Sequence, residues 1–236
     1  MKQLICAVSV AAVLSGAASA SELTFEGLGG EGTPIDTVVV DGVTIDISVS
    51  SSTSFDQAIL YDTASPVGED PDLEAPFFNT ATGETETADM VGNILIISEN
   101  DDSDGDGSFD PADDLGSGGT FTFEFSVLST VFSMDVLDSK KTTFKFFDEN
   151  GDQIGGNVVV GSVDTIDTEF PNEMTTVVFG DAGVGISGVK SFTVKLKESG
   201  GLDDLSFEAI PVPGALPLMI GGAALLGAAG RRRRQR

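Results

Sequence analysis

Alternating hydrophobic and polar residues recur along the chain and predict β-strands. In residues 120–126, every second residue is a phenylalanine, so these three rings would share one face of a strand. Residues 142–147 and 191–197 repeat the alternation. Further short strands are predicted at 23–28, 43–49, 58–62, 93–98, 131–137, 153–160, 175–179 and 203–208. About ten short strands separated by Gly, Asp and Pro turns predict an all-β fold, a β-sandwich or jelly roll, and no internal repeat is present.

Two connecting segments add to this pattern. The Asn150-Gly151 pair lies between two predicted strands and predicts a hairpin over residues 142–160. Residues 63–92 form a long acidic segment with little strand character, which is typical of a functional or mobile loop. Outside the two ends of the chain, no stretch has helical periodicity.

The first twenty residues have the pattern of a signal peptide. Lys2 gives a positive start, residues 4–14 are apolar, and a run of small residues ends in Ala18-Ser19-Ala20. This is the order of a secretory signal followed by its cleavage site. We expect cleavage after Ala20 and export of the remaining chain.

Residues 211–236 have the pattern of a membrane-anchored tail. The tail begins with Pro211, Val212, Pro213, Gly214 and Ala215, continues with an uncharged apolar run at 216–230, and ends in a cluster that contains Arg231, Arg232, Arg233 and Arg234. The apolar run is expected to form a C-terminal hydrophobic helix, and it is at the lower length limit for crossing roughly 30 Å of hydrocarbon. Arginines next to a span stay on the cytoplasmic side, so we expect this tail to hold the protein at the membrane with the C-terminus inside.

The charge of residues 21–210 excludes several functions. This stretch of 190 residues is one domain in length and carries all 38 acids against six lysines, a net charge of −32. Such a domain repels nucleic acid and anionic lipid and attracts cations. The only cysteine is Cys6, and histidine and tryptophan are absent. His-dependent nucleophilic triads and zinc sites built on His or Cys are therefore excluded, and carboxylate pairs or a hard cation such as Ca²⁺ remain.

One acidic segment matches the ligand spacing of a twelve-residue calcium loop. Its candidate ligands are Asp102, Asp104, Asp106, Ser108, Asp110 and Asp113. Gly107 stands where such a loop turns sharply, and Ser108 would contribute its backbone carbonyl. The last position is Asp rather than the usual Glu, and no helices flank the loop, so this is not an EF-hand. A structural calcium ion is the prediction, and a solvated acidic turn is the alternative.

The tail and several internal segments resemble a known family. Residues 210–217, Ile-Pro-Val-Pro-Gly-Ala-Leu-Pro, resemble the VPLPA-type variant of the PEP-CTERM sorting tail, although Pro-Val-Pro-Gly replaces the commoner Pro-Glu-Pro. Exported PEP-CTERM proteins also resemble this chain at 59–63, 70–73, 92–99, 119–123 and 202–207. The resemblance implies a jelly-roll-like domain at the cell surface and a tail that a sorting enzyme of the exosortase type processes near Pro211–Pro217. It implies no reaction.

A second calcium site is expected only by analogy of position. Many carbohydrate-binding jelly rolls hold a calcium ion between a Glu near the first strand and an Asp on the last strand. Glu26 and Asp204, or its neighbour Asp203, occupy corresponding places here. The alternative is that they are ordinary acids at strand ends. Further oxygen donors could come from Asp62, Asp70 and Asp72.

These observations leave three classes of function open. The expected one is an exported, calcium-stabilised, non-catalytic component of the cell surface or matrix, in contact with extracellular polysaccharide. The polysaccharide is implied by the association of such tails with exopolysaccharide production. The alternatives are a carboxylate-based enzyme acting on glycans and a structural protein without a small ligand. An aromatic sugar platform is disfavoured, because the chain has no Trp and a single tyrosine, Tyr61.

Overall fold

The chain folds as an all-β, sandwich-like domain. The computed structural model describes residues 20–52, 56–64, 71–109, 111–161 and 172–211. Its strands are β1 (Ser21–Leu23), β2 (Thr37–Val40), β3 (Val43–Ser51), β4 (Ala58–Asp62), β5 (Phe77–Asn79), β6 (Glu84–Glu86), β7 (Asn93–Ile97), β8 (Gly119–Leu137), β9 (Thr142–Phe147), β10 (Gln153–Val160), β11 (Asn172–Val178), β12 (Ile186–Leu196) and β13 (Gly201–Ala209). One short helix, α1 (Ala88–Val91), and 3-10 turns at Pro71–Leu73 and Asp181–Gly183 complete the described elements.

The long strand β8 organises the fold. Its first half pairs with β3 and β12, and its second half pairs with β11 and β13. It therefore belongs to two half-sheets. The first half-sheet has the order β10-β9-β12-β8-β3-β2, and the second has the order β6-β5-β11-β8-β13 with β7, β4 and β1 added beyond β13. The prediction of separate strands at 120–126 and 131–137 was wrong, because the residues between them include no Gly or Pro to end a strand.

The core lies between the half-sheets and is built from the alternating phenylalanines. Phe192 of β12 is fully buried at its centre. Its ring stacks on Phe123 with centroids 4.7 Å apart, and it also lies 5.9 Å from Phe125 and 5.7 Å from Phe146. The predicted burial of every second residue within 120–126, 142–147 and 191–197 is therefore confirmed.

The predicted hairpin at 142–160 is also confirmed. Strands β9 and β10 pair in antiparallel fashion, and Gly151 has a φ of +81° in the turn. The Asp148 carboxylate accepts hydrogen bonds from the backbone N–H groups of Asn150 and Asp152 at 2.8 and 2.9 Å. These bonds, the Asp152 one first, lower the pKa of Asp148.

The acidic segment at 63–92 differs from the predicted loop. Its described residues, 63–64 and 71–92, include α1 and the strands β5 and β6, which extend the second half-sheet beyond β11. There Leu73, Phe77 and Val91 bury themselves in a second apolar cluster with Ile94 and Ile96. This explains the unbroken apolar run of β7, since a strand covered on both faces needs no polar alternation.

Other strand predictions needed correction as well. The structure has thirteen strands in the described residues rather than about ten, because the short β2, β5 and β6 lack a clear pattern. The strand predicted at 23–28 ends at Leu23, since Phe25 has a φ of +56° and turns the chain. Within the described ranges, no helix has the length and apolar character needed to cross a membrane. The predicted signal peptide, apart from Ala20, and the tail beyond Pro211 lie outside the described residues.

Candidate metal sites

A β-bulge in β13 brings two adjacent carboxylates together. The pairing of β13 with β8 shifts register between Asp203 and Ser206, and Asp204 has a φ of +46°. In a regular strand, residues 203 and 204 would point to opposite faces of the sheet. At the bulge, burial first of all raises the pKa values of both Asp203 and Asp204, and the charge of Glu26 adds to both shifts. Bulges often re-aim side chains next to functional sites.

Six carboxylates from β1, the turn after β1, β6, β8 and β13 interact electrostatically around the bulge. We call this group the acidic cluster, and it consists of Glu22, Glu26, Glu86, Asp135, Asp203 and Asp204. Asp135 on β8 lies directly opposite Asp203 in the strand register. The lysines of residues 21–210 lie on or beside β9 and β12, and none contributes to the pKa shifts in this cluster. The cluster therefore concentrates negative charge without a compensating side chain. No three of its members bring ligand atoms within 4.8 Å of one another, which among the described residues only Asp102, Asp104 and Asp106 do.

The most unusual member of the acidic cluster is Asp203. It is only 2% exposed, and its Oδ1 atom is buried without a hydrogen-bond partner among the described residues. Burial, followed by the charge of Asp204, raises the pKa of Asp203 well above its usual value. The backbone N–H of Asp204 donates a hydrogen bond to this carboxylate and opposes the shift. A buried carboxylate with one oxygen unsatisfied is still costly in free energy unless a proton or a cation neutralises it.

Asp135 has a partial set of partners. It is 5% exposed, and burial first of all raises its pKa to about 7, against the effect of a hydrogen bond from Thr176. The Thr176 hydroxyl also accepts a hydrogen bond from the Asn79 amide at 3.2 Å, and that amide donates to Glu86 at 2.7 Å. This network ties β11, β5 and β6 to the cluster and positions Asp135 and Glu86.

Glu26 connects the acidic cluster to a surface cavity. Its Oε1 atom accepts a hydrogen bond from the backbone N–H of Asn93. Gly92, with a φ of +62°, makes this approach possible, because a Cβ there would overlap the Glu26 carboxylate. Glu26 also lines a cavity of about 400 Å³ together with Asp62 and α1.

The calcium-like loop forms a second, more exposed group between β7 and β8. Ligand atoms of Asp102, Asp104 and Asp106 lie within 4.8 Å of one another. The two Asp102 oxygens accept hydrogen bonds from the N–H groups of Gly105 and Gly107 at 2.8 and 3.0 Å. The loop is attached to the domain by a hydrogen bond from Phe109 N–H to the Gly32 carbonyl at 3.0 Å. Exposed acids of this kind are common without a metal, so the spacing alone does not distinguish a site from an acidic turn.

The remaining predicted ligands do not join the group of three carboxylates in the described structure. The Ser108 hydroxyl donates to the Glu31 carbonyl at 3.4 Å, and Asp113 is not part of the group of three carboxylates. Asp110 and Asp70 lie outside the described residues, and Asp72 is exposed on a 3-10 turn.

Glu26 and Asp204, the pair expected by analogy of position, interact electrostatically in the structure, and their role as calcium ligands stays a prediction. The sequence analysis did not name Asp135, Glu22 and Glu86. One signal was available for Asp135, since an acid stands between Met134 and Val136 in an apolar strand. No local pattern marks Glu22 or Glu86, which only the strand pairing brings near β13.

The raised pKa values predict a distinctive pH dependence in the absence of divalent cations. An unfolded Asp has a pKa of 3.8, whereas folded Asp135 has about 7 and Asp204 about 6. The folded state therefore holds more protons between these values, so the stability that these two groups contribute is complete below about pH 4 and is lost as the pH rises toward about 7. In chelator, we expect a higher melting temperature at pH 5 than at pH 8. Asp135→Asn should reduce this difference in melting temperature, and the exposed control Asp181→Asn should leave it intact. The same difference between pH 5 and pH 8 in both variants would contradict the raised pKa of Asp135.

The comparisons with known proteins identify no relative. No protein-family model and no curated protein matches the chain. Among solved structures, wild-type discoidin II from Dictyostelium discoideum has a TM-score of 0.33 and 8% identity over 76% of this chain and 60% of that chain. The enzymatically active domain of bacteriophage CBA120 tailspike protein 4 has a TM-score of 0.31 and 9% identity over 72% of this chain and 20% of that chain. The chain thus spans less than two thirds of either protein, and no activity is transferred from them.

Proposed function

We propose that this protein is an exported, non-catalytic component of the cell surface or extracellular matrix, built on a calcium-stabilised β-sandwich of the jelly-roll type. Contact with extracellular polysaccharide is its proposed binding activity. One observation carries the calcium part of this proposal: the buried, unpartnered Oδ1 of Asp203 within a group of six carboxylates. Calcium fits because it takes six to eight oxygen ligands and accepts irregular geometry.

The acidic cluster also favours a second candidate, a carboxylate-based enzyme. Strongly raised pKa values, such as that of Asp135 at about 7, are typical of general acids in active sites. However, Asp135 and Asp203 are 5% and 2% exposed. A sugar ring needs open access to a catalytic acid, whereas a dehydrated ion needs an enclosed set of oxygens. Burial therefore favours the cation over the enzyme.

The location of the protein is proposed from the two ends of the chain. The signal pattern that ends at Ala20 would direct export. The tail from Pro211 to the arginine cluster would hold the chain at the membrane through the C-terminal helix until a sorting enzyme of the exosortase type removes it. The proposal at this step rests on the resemblance to PEP-CTERM proteins.

Mass spectrometry of the protein recovered from the cell surface tests the processing. We expect an N-terminus at Ser21 and a C-terminus that lies near Pro211–Pro217 and lacks the cluster of Arg231–Arg234. Replacing the arginines with glutamine should impair anchoring, because the positive residues hold the tail on the cytoplasmic side. Surface protein that still contains Met1 or the arginines would contradict the proposed sorting.

A pull-down tests the proposed binding activity. The protein is incubated with the extracellular polysaccharide of the producing cell, in millimolar calcium or in chelator. We expect retention in calcium, weaker retention in chelator, and no shortening of the polysaccharide. Hydrolysis that Asp135→Asn abolishes would replace the proposed function with that of an enzyme, and absence of both retention and hydrolysis would favour a purely structural role.

A further inference from the structure

The positive charges of the domain are segregated to one side. All six lysines of residues 21–210 lie on or next to β9 and β12 in the first half-sheet, and the same residues contain no arginine. The acidic cluster lies on the second half-sheet. In a domain with 38 acids, a chance distribution would place acids around each lysine. The observed distribution indicates that the lysine-bearing side of the domain is a candidate binding surface.

A groove runs between several of these lysines. Lys195 and Lys197 line two adjoining cavities, of about 200 Å³ and about 340 Å³. The first cavity also includes Lys141 and Thr143, and the second includes Thr120 and the serines at 50–52 and 117. We call the combined feature the lysine–serine groove. It forms where the end of β3, the start of β8, the start of β9 and the end of β12 meet.

The lysines of this groove are available to a ligand. Lys141 and Lys195 are exposed and form no ion pair with any residue in the described part of the chain. The same is true of Lys145 in β9. Glu198 at the edge of the groove lies 2.6 Å from Lys140 and 4.0 Å from Lys197. Neighbouring ammonium groups without counter-charges repel each other, and an anionic ligand would relieve that repulsion.

We propose that the lysine–serine groove binds carboxylate-bearing sugar residues of an acidic polysaccharide. Lysine ammonium groups donate charge-assisted hydrogen bonds to carboxylates, and Ser and Thr hydroxyls both donate to and accept from sugar hydroxyls. Sugar rings have no aromatic side chain to stack on in the described ranges, because Tyr61 is fully buried and none of the other aromatic side chains there is exposed. This inference rests on the proposed polysaccharide contact and assigns it to a surface and a chemical class.

Nucleic acid is the competing polyanion, and the molecule disfavours it. A nucleic acid carries one charge per roughly 1.7 Å of duplex axis, so the net charge of −26 on the chain repels it strongly. Single strands are usually bound by exposed aromatic rings and by arginine, and the described surface offers neither around the groove. A polysaccharide with one carboxylate on every second sugar spreads its charge more widely and also presents hydroxyls to the serines.

The test compares two variants with the same change in net charge. Lys141→Gln/Lys195→Gln removes two ammonium groups from the groove. Val39→Glu/Val184→Glu adds two negative charges at exposed positions on β2 and before β12, away from the groove. Binding of the full-length chain in mild detergent to hyaluronan oligosaccharides, neutral dextran and single-stranded DNA is measured by calorimetry at low and physiological salt. Thermal unfolding checks that each variant is folded.

We expect the protein to bind hyaluronan, with affinity falling as salt rises, and to bind neither dextran nor DNA. The lysine variant should bind hyaluronan roughly tenfold more weakly, because two charge-assisted contacts are lost, while the valine variant changes it less than about twofold. Equal losses in both variants, equal affinity for dextran, or comparable binding of DNA would overturn the assignment. Self-association would also overturn the assignment. If the molar mass of the unmodified protein and of the valine variant rises with concentration and that of the lysine variant does not, a second copy of the chain occupies the groove.

This experiment separates the groove from the proposed function. If the lysine variant still co-sediments with the producer's polysaccharide as the unmodified protein does, the groove is wrong and the surface role stands. If calcium stabilises the protein and neither polysaccharide is bound by any form, the polysaccharide contact itself is wrong.

Discussion

Transfer from millimolar calcium into chelator should lower the melting temperature of this protein by roughly 5–10 °C at pH 8. A ligand that binds only the folded state at a hundredfold excess over its Kd contributes about 2.7 kcal/mol. In a domain of this size, each kcal/mol corresponds to about 2–4 °C. The proposed calcium site in the acidic cluster predicts this gain, because the cation would neutralise the buried carboxylate of Asp203 and its charged neighbours.

Asp203→Asn distinguishes this cation site from general screening of the negative charge. The amide has the shape of the carboxylate but no charge to bury, so we expect the variant to melt higher than the unmodified protein in chelator and lower in calcium. The exposed control Asp181→Asn should change neither value appreciably. The triple variant Asp102→Asn/Asp104→Asn/Asp106→Asn measures the share of the exposed loop. If calcium raises the melting temperature of Asp203→Asn as much as that of the unmodified protein, the buried site does not exist.

Truncation of Phe192 should destabilise the domain more than any other single change considered. Its ring is fully buried and lies among Phe123, Phe125 and Phe146, which belong to two neighbouring strands. Phe192→Ala therefore leaves a cavity that the rigid sheet cannot close, with a cost of about 3–5 kcal/mol. The melting temperature should fall by roughly 10 °C, and more in chelator if the two effects add.

Phe147→Ala is the matched control for this truncation. Phe147 is half-buried at the end of β9, next to Phe146 but on the opposite face of the strand. The same number of atoms is removed outside the central stack, so we expect a loss of stability well below that of Phe192→Ala. Equal losses, measured by chemical denaturation, would mean that the stacked rings contribute no more than ordinary apolar burial.

The sequence by itself determined the class of fold and most of the strands that carry the core. In β8, β9 and β12, strict alternation with a period of two leaves only one way to bury the phenylalanines, and a hairpin turn at Asn150-Gly151 is encoded by the local preference for positive φ. Charge and composition also sufficed to exclude His- or Cys-based chemistry. These properties depend on neighbours along the chain, which is why local patterns predict them.

Only the tertiary structure determined which acids lie together and which lysines lie together. The acidic cluster joins residues from β1, β6, β8 and β13, and it depends on a bulge at Asp203–Asp204 that no alternation reveals. The lysine–serine groove joins residues near 50, 120, 141 and 195. The segment at 71–92 packs Leu73, Phe77 and Val91 against Ile94 and Ile96 of β7. Strand pairing between distant segments sets these contacts. A carboxylate or an ammonium group has the same local pattern whether it ends in solvent, in a cluster or in a groove, so its environment is a property of the folded sheet.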